Sequence, residues 1–253
     1  MLNIALNTFR EVVRNKFLYM IIFFGFVFIA FSIVLWTLTL GDDKKLIVDF
    51  GLSMIEIFWI IWVLFVWVQL LFKEVEGKTI FLILSKPIKR YEFILGKFLG
   101  FSFTIFLIIL FQAILFLGVL YFKEIEITKL ILFSILFIFF KLELLLALVL
   151  FFSSFMSNMI TILVAVLVYL SAHSYSLLLD MVHKTKNVVL IKSWEFLQLL
   201  FPPFEVLNLK DYIWSFQEFS TKFFVYNTFY SLVYLFLILF FTVIIFNKKK
   251  FEN

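Results

Sequence analysis

The sequence predicts an all-α integral membrane protein with six transmembrane helices and an N-terminal amphipathic interfacial helix. Three observations carry the prediction. The chain of 253 residues is 64% apolar, with a mean hydropathy of +1.13. A soluble domain runs to about half apolar, and one core does not hide the excess. Second, a helix crossing the hydrocarbon needs roughly 20 apolar residues, and six stretches qualify: 17–40, 50–72, 98–122, 130–152, 159–175 with its flanks, and 226–246. Third, these runs are continuous, whereas β-barrel strands alternate over about ten residues.

In chain order, residues 1–16 mix polar and apolar positions. The apolar run after them is too long for a cleavable signal, whose apolar region spans about 7–15 residues. Leu2, Leu6, Phe9 and Val13 recur at helical spacing, with Asn3, Asn7, Arg10, Glu11 and Arg14 on the other side. That pattern predicts a helix lying in the cytoplasmic interface with its bases toward anionic headgroups, or alternatively a cytoplasmic extension of the first span. The fifth run is the shortest, and its outer end extends in this reading through residues 176–181. Residues 176–225 form a long outer segment that mixes apolar pieces with Pro202, Pro203 and scattered charges. It is too apolar for disorder, so short helices on or dipping into the outer membrane surface are expected, with Trp194, Tyr212 and Trp214 at interfacial depth.

Orientation follows from the basic residues. With both termini cytoplasmic, twelve bases fall inside: Arg10, Arg14, Lys16, Lys73, Lys78, Lys86, Lys89, Arg90, Lys97, Lys248, Lys249 and Lys250. The short outer loops hold Lys44, Lys45, Lys123 and Lys129, so the bias places the termini in the cytoplasm. The bases between Lys184 and Lys222 lie in the long outer segment, which weighs less, and the inner turn 153–158 has no base. A net charge of +5 spread over such loops fits a membrane protein better than a nucleic-acid binder. The absence of Cys excludes disulfides and thiolate metal sites. The 40 Phe fit either nucleotide bias or an aromatic ligand surface.

The main charged segment is residues 73–97, between the second and third runs. It carries an acidic pair, Glu74 and Glu76, then Gly77 and Thr79, then an apolar ridge of Phe81, Leu82 and Leu84. Ser85-Lys86-Pro87, Arg90 and an apolar turn ending in Gly96-Lys97 follow. This order resembles the signature of ABC-2 type transporter permeases, the membrane subunits of a group of ABC exporters. Residues 5–14 (Ala-Leu-Asn-Thr-Phe-Arg-Glu-Val-Val-Arg) and 151–158 (Phe-Phe-Ser-Ser-Phe-Met-Ser-Asn) are also similar to that family, and the plan of spans agrees along the whole chain. Within it the chain looks closest to permeases associated with multicopper-enzyme maturation. One departure stands at Lys89, where family members often carry Ser or Thr three residues before the acid retained here as Glu92. Ser or Thr there would complete a capping box; Ser85 before Pro87 is the alternative helix start.

The resemblance implies one permease domain over 17–253 and a cytoplasmic coupling helix within 73–97 that docks into a groove of a separate ABC ATPase subunit. It implies ATP and Mg bound by that partner and no cofactor on this chain, and a second permease chain, identical or homologous. Residues Glu74, Glu76, Gly77, Thr79, Phe81, Leu82, Leu84, Pro87, Arg90, Gly96 and Lys97 would carry the coupling. Membrane lipid is the surrounding partner, the plasma membrane the expected location and export the expected direction. The apolar ridge suits a groove, and the flanking charges suit register and specificity.

Two features read differently. Gly77-Lys78-Thr79 imitates the end of a P-loop, but the first Gly of that motif falls on Phe72 and no strand precedes it. No nucleotide site is therefore expected here. Glu56 in the second run and Lys141 and Glu143 in the fourth are charges near mid-bilayer, which cost a few kcal/mol and face the protein interior. Lys141 and Glu143 lie about 200° apart round a helix and do not pair with each other; Lys141 reaches Glu56 if those spans touch. Such charges line a transport path or dimer seam, or hold the bundle together. His173 and His183 lack metal-ligand spacing, and no nucleophile–base arrangement stands out, so no catalytic or metal site is expected. The leading expectation is an ATP-driven export permease. A secondary transporter or a non-transport membrane scaffold or maturation factor is the alternative.

Overall fold

The computed structural model describes residues 1–14, 43–70, 89–185, 187–198, 201–215 and 219–248, together with single positions 23, 27, 31, 34 and 72. Among these residues the chain is helical and turned, with no strand. The first expected span lies outside the described residues except at Phe23, Val27, Phe31 and Val34, all helical.

Helix α1 is Leu2–Val12. Helix α2 is Asp43–Ile61 and runs directly into a π-helical stretch, Trp62–Trp67. Together they make an apolar span, Lys44–Leu70. Helix α3 is Arg90–Phe122 and α4 is Lys129–Ser153. Helix α5, Asn158–His173, meets α6, Tyr175–Lys184, at Ser174 with a bend of 67°. Helix α7 is Val188–Gln198, a 3₁₀ turn covers Lys210–Tyr212, and α8 is Thr221–Lys248. Four of these helices are long and apolar enough to cross a membrane, and the bent pair makes a fifth if counted as one.

The helix limits follow local chemistry. Helix α3 has 33 residues, about 50 Å of helix against a hydrocarbon core of about 30 Å. It therefore starts eight residues before the apolar run expected at 98, within the polar stretch. Its cap is Lys89, whose backbone N–H donates to the Glu92 carboxylate (3.2 Å). The start lies at Arg90 rather than at Ser85, because the acidic half of the capping box works without a hydroxyl at the cap. Thr128 caps α4 by accepting the Ile131 N–H (3.4 Å). The fifth span does not run straight through residues 176–181: Ser174 breaks it with non-helical angles, φ −107° and ψ 25°.

Helix α4 is the axis of the bundle. It touches α2, α3, α5, α8 and the 3₁₀ turn, and 72% of its apolar window is buried, against 22% for α8. Helix α8 thus turns Tyr226, Phe229, Phe236, Phe240 and Phe241 outward. In lipid such exposure carries no hydrophobic cost, so close fit and polar contacts must hold the helices together. The segment 201–215 folds back into the bundle instead of lying on it: Phe204, Leu207 and Leu209 are fully buried.

Candidate functional site

Two sites stand out, one inside the bundle and one at the end that bears the termini. The first forms around Glu56, halfway along the α2 span and buried. Its Oε1 accepts from Lys141 Nζ of α4 at 2.7 Å and from the Tyr169 hydroxyl of α5 at 2.9 Å. Its Oε2 pairs with Lys210 Nζ from the 3₁₀ turn, which also reaches Ser53 Oγ at 3.5 Å. One carboxylate thus ties four elements together. Removed from water, it needs such a set of donors to stay charged.

Above this cluster, 201–215 is anchored by further polar contacts. Trp214 Nε1 donates to Asp49 Oδ1 (3.1 Å), Asn208 Nδ2 to Asp211 Oδ2 (3.1 Å), and the Ser176 N–H at the start of α6 to Glu205 Oε2 (2.9 Å). The Tyr169 ring leans on Phe204 (5.1 Å between centroids) and stacks on His173 (5.6 Å, 14°). Toward the other end lies a layer of tryptophans. Trp59 Nε1 donates to Gln112 Oε1 (2.7 Å), Trp67 stacks on Phe101 (4.9 Å), and both indoles are fully buried. Trp67 closes the π-helical stretch, a widened helical turn common at functional sites. Glu143 faces away from Lys141, buried, with its carboxyl hydrogen-bonded to Ser102 of α3.

The second site is the start of α3, which meets two other helices within ten residues. Arg90 donates to the Asn247 carbonyl at the C-terminal end of α8 (3.0 Å), and Phe93 stacks on Phe246 (5.8 Å, 15°). On another side α1 docks. A Cβ added to Gly96 would come within 2.8 Å of Ile4 Cβ, and one on Gly100 within 2.6 Å of the Ala5 carbonyl and 2.7 Å of Thr8 Cβ. Gly96 and Gly100 make the small-x3-small pattern that lets helices approach closely in membranes. Lys97, 1% exposed, pairs with Glu11 of α1 at 3.6 Å. The face of α1 that binds is Ile4, Ala5, Thr8 and Val12. Leu2 and Leu6 of the expected apolar stripe stay exposed.

Of the coupling residues read from the sequence, Glu74, Glu76, Gly77, Thr79, Phe81, Leu82, Leu84 and Pro87 lie outside the described residues, as does Ser85. Arg90, Gly96 and Lys97 fall at the α3 junction. Glu56 and Lys141 come together, while Glu143 stands apart. Lys210 and Tyr169 complete the cluster without any sequence pattern that marks them. Gly100 and Thr8 complete the junction; the Gly96-x3-Gly100 spacing is the signal that points to it.

A family model described as "ABC-2 family transporter protein" matches residues 68–251. The match takes in Lys141, Lys210 and the α3 start and begins after Glu56. No curated protein matched the sequence.

Proposed function

The chain belongs to the ABC-2 family of transporter proteins, a multi-pass membrane permease of an ABC transporter, and from that premise we propose how it works. It is the non-catalytic half of an exporter. Residues 73–97 dock on a separate ATPase that carries ATP and Mg, and two permease chains, identical or homologous, enclose the path. Both termini are cytoplasmic, in the plasma membrane.

The observation that carries the coupling role is the α3 junction. The segment 73–88 leads directly into Arg90, and the first turns of α3 are fastened to α8 by Arg90 and Phe93 and to α1 by Gly96, Lys97 and Gly100. A force delivered through that segment moves three helices as one body. The cluster at Glu56 is the opposite terminal of the device, where 201–215 closes over the path.

The test is co-purification of the tagged full chain from its native membrane under gentle solubilisation. An ATPase subunit is expected to come with it. Gly77→Pro, or Ser at positions 81–84, is expected to release that subunit while the permease remains folded. An ATPase absent from the wild-type preparation, or still bound to both variants, overturns the coupling role.

A further inference from the structure

Glu143 is the acid in the bundle that the Glu56 cluster leaves out. Its side chain is 3% exposed. The carboxyl is hydrogen-bonded to Ser102 of α3, and Oε1 has no hydrogen-bond partner. Among the described residues no cation forms an ion pair with it; Lys97, Lys141 and Lys210 pair with Glu11 and Glu56 instead. The place of this bond in the bundle gives it weight. The Phe106 and Phe139 rings meet edge to face across α3 and α4, 6.0 Å apart. One turn nearer the start of α3, the same antiparallel register sets Ser102 against Glu143. In that turn Gly100 takes α1, Phe101 stacks on Trp67 and Ser102 reaches α4. The bond therefore joins the axis helix to the part of α3 that also holds α1 and the α2 span.

The titratable groups on the elements around α4 are engaged with one another. Lys141 lies about 200° round α4 from Glu143 and is bound to Glu56 of α2. Tyr169 and His173 of α5, and Lys210 and Asp211 of the 3₁₀ turn, act within or upon that same cluster. Tyr230 and Tyr234 of α8 act on each other. What acts on the Glu143 carboxyl is burial and the Ser102 bond. Ionised here, it would be an isolated buried charge, and a group so placed neutralises instead.

We propose that Glu143 is a proton-binding site: a neutral carboxylic acid bonded to Ser102 while α3 and α4 are together, which gives up its proton when the two helices part and water reaches it. A solvated Glu ionises near pH 4.3, so at neutral pH the joined state holds one proton more than the parted one. The parted state then gains on the joined state by up to tenfold per pH unit as pH rises. As a step in transport this deepens the permease reading and rests on it; as a proton site it does not, and both measurements below use the chain alone.

The first measurement is infrared absorption of the full-length chain at pH 7, in a detergent free of ester carbonyls. A carbonyl stretch of a protonated carboxylic acid is expected in the wild type. It should move to lower frequency in heavy water, vanish in Glu143→Gln and persist in Ser102→Ala at a changed frequency, which assigns the band independently of the Gln variant. A wild type without that band overturns the proposal. The second measurement uses spin labels on Leu107→Cys and Leu136→Cys, exposed positions on α3 and α4 of a chain without native Cys. In lipid nanodiscs the share of the longer inter-label distance is expected to grow between about pH 6 and pH 8, by up to tenfold per unit, and to stay constant with Glu143→Gln. Profiles that coincide in the two backgrounds overturn the release of the proton. Loss of the ATPase in the co-purification test leaves both results standing, and the reverse also holds.

Discussion

At Glu56 the order of damage is set by counting charges. Removing either lysine leaves a neutral pair: Glu56 with Lys210, or Glu56 with Lys141. Removing the carboxylate strands the buried Lys141 without its hydrogen-bonded partner and leaves the partly exposed Lys210 unpaired with it. Glu56→Gln is therefore expected to destabilise the chain by roughly 3–5 kcal/mol and Lys141→Met by appreciably less, since breaking a buried pair strands its partner only in the first case. Denaturant unfolding in mild detergent checks the order; a Lys141→Met chain less stable than Glu56→Gln contradicts it. The shared carboxylate also decides a charge swap. Glu56→Lys with Lys141→Glu is expected to stay defective, because the new Lys faces Lys210. Adding Lys210→Glu turns the trio into one cation between two carboxylates and is expected to recover much of the loss.

At the scale of the helix, α1 depends on an absence of side chain. The Ala5 carbonyl sits where a Gly100 Cβ would go, so Gly100→Val must push α1 away, at a cost of about 1–3 kcal/mol for overpacking. The Phe9 and Phe103 rings lie 5.2 Å apart, and the chain has no native Cys. Cysteines placed at positions 9 and 103 are expected to cross-link with Gly100 intact and to lose that cross-link in Gly100→Val; equal yields in both backgrounds contradict the docking. This contact also shows what a sequence can and cannot disclose. The four or five spans seen among the described residues are legible because an unbroken apolar run has one stable solution in lipid. Glu56 and Lys141 are legible because charge interrupts those runs. The partners of Gly96 and Gly100 are not, since they lie some ninety positions away and the α1 face that binds them is Ile4, Ala5 and Thr8 rather than the larger apolar stripe. The depth of Lys210 is hidden for a related reason: in a mixed segment without periodicity, a lysine reads equally as surface or core. Residues 90–97 fall before the apolar run that starts at 98, where hydropathy gives no signal, and only the Lys89-to-Glu92 spacing and Ser85-Lys86-Pro87 mark a helix start near them.

Across the whole molecule, α2 joins the two sites. One half of its span carries Glu56, held by Lys210 of the infolded segment. The other half carries the π-helical stretch Trp62–Trp67 and leads on to residues 73–88. The tryptophan layer is buried, and on the proposed coupling the routes from residues 73–88 to the far end are along α2 and through the α3 junction. If 201–215 must lift from α2 in each cycle, fastening it there stalls the ATPase at a distance. Ser53→Cys with Lys210→Cys, bridged by a short reducible bifunctional thiol reagent, is expected to lower ATP turnover of the co-purified complex by about tenfold, with the ATPase still bound, and reduction is expected to restore it. Because Lys210→Cys also removes a charge, the unbridged double variant is the reference. Turnover unchanged on complete bridging would mean that the infolded segment is a fixed lid and that the path opens elsewhere in the bundle.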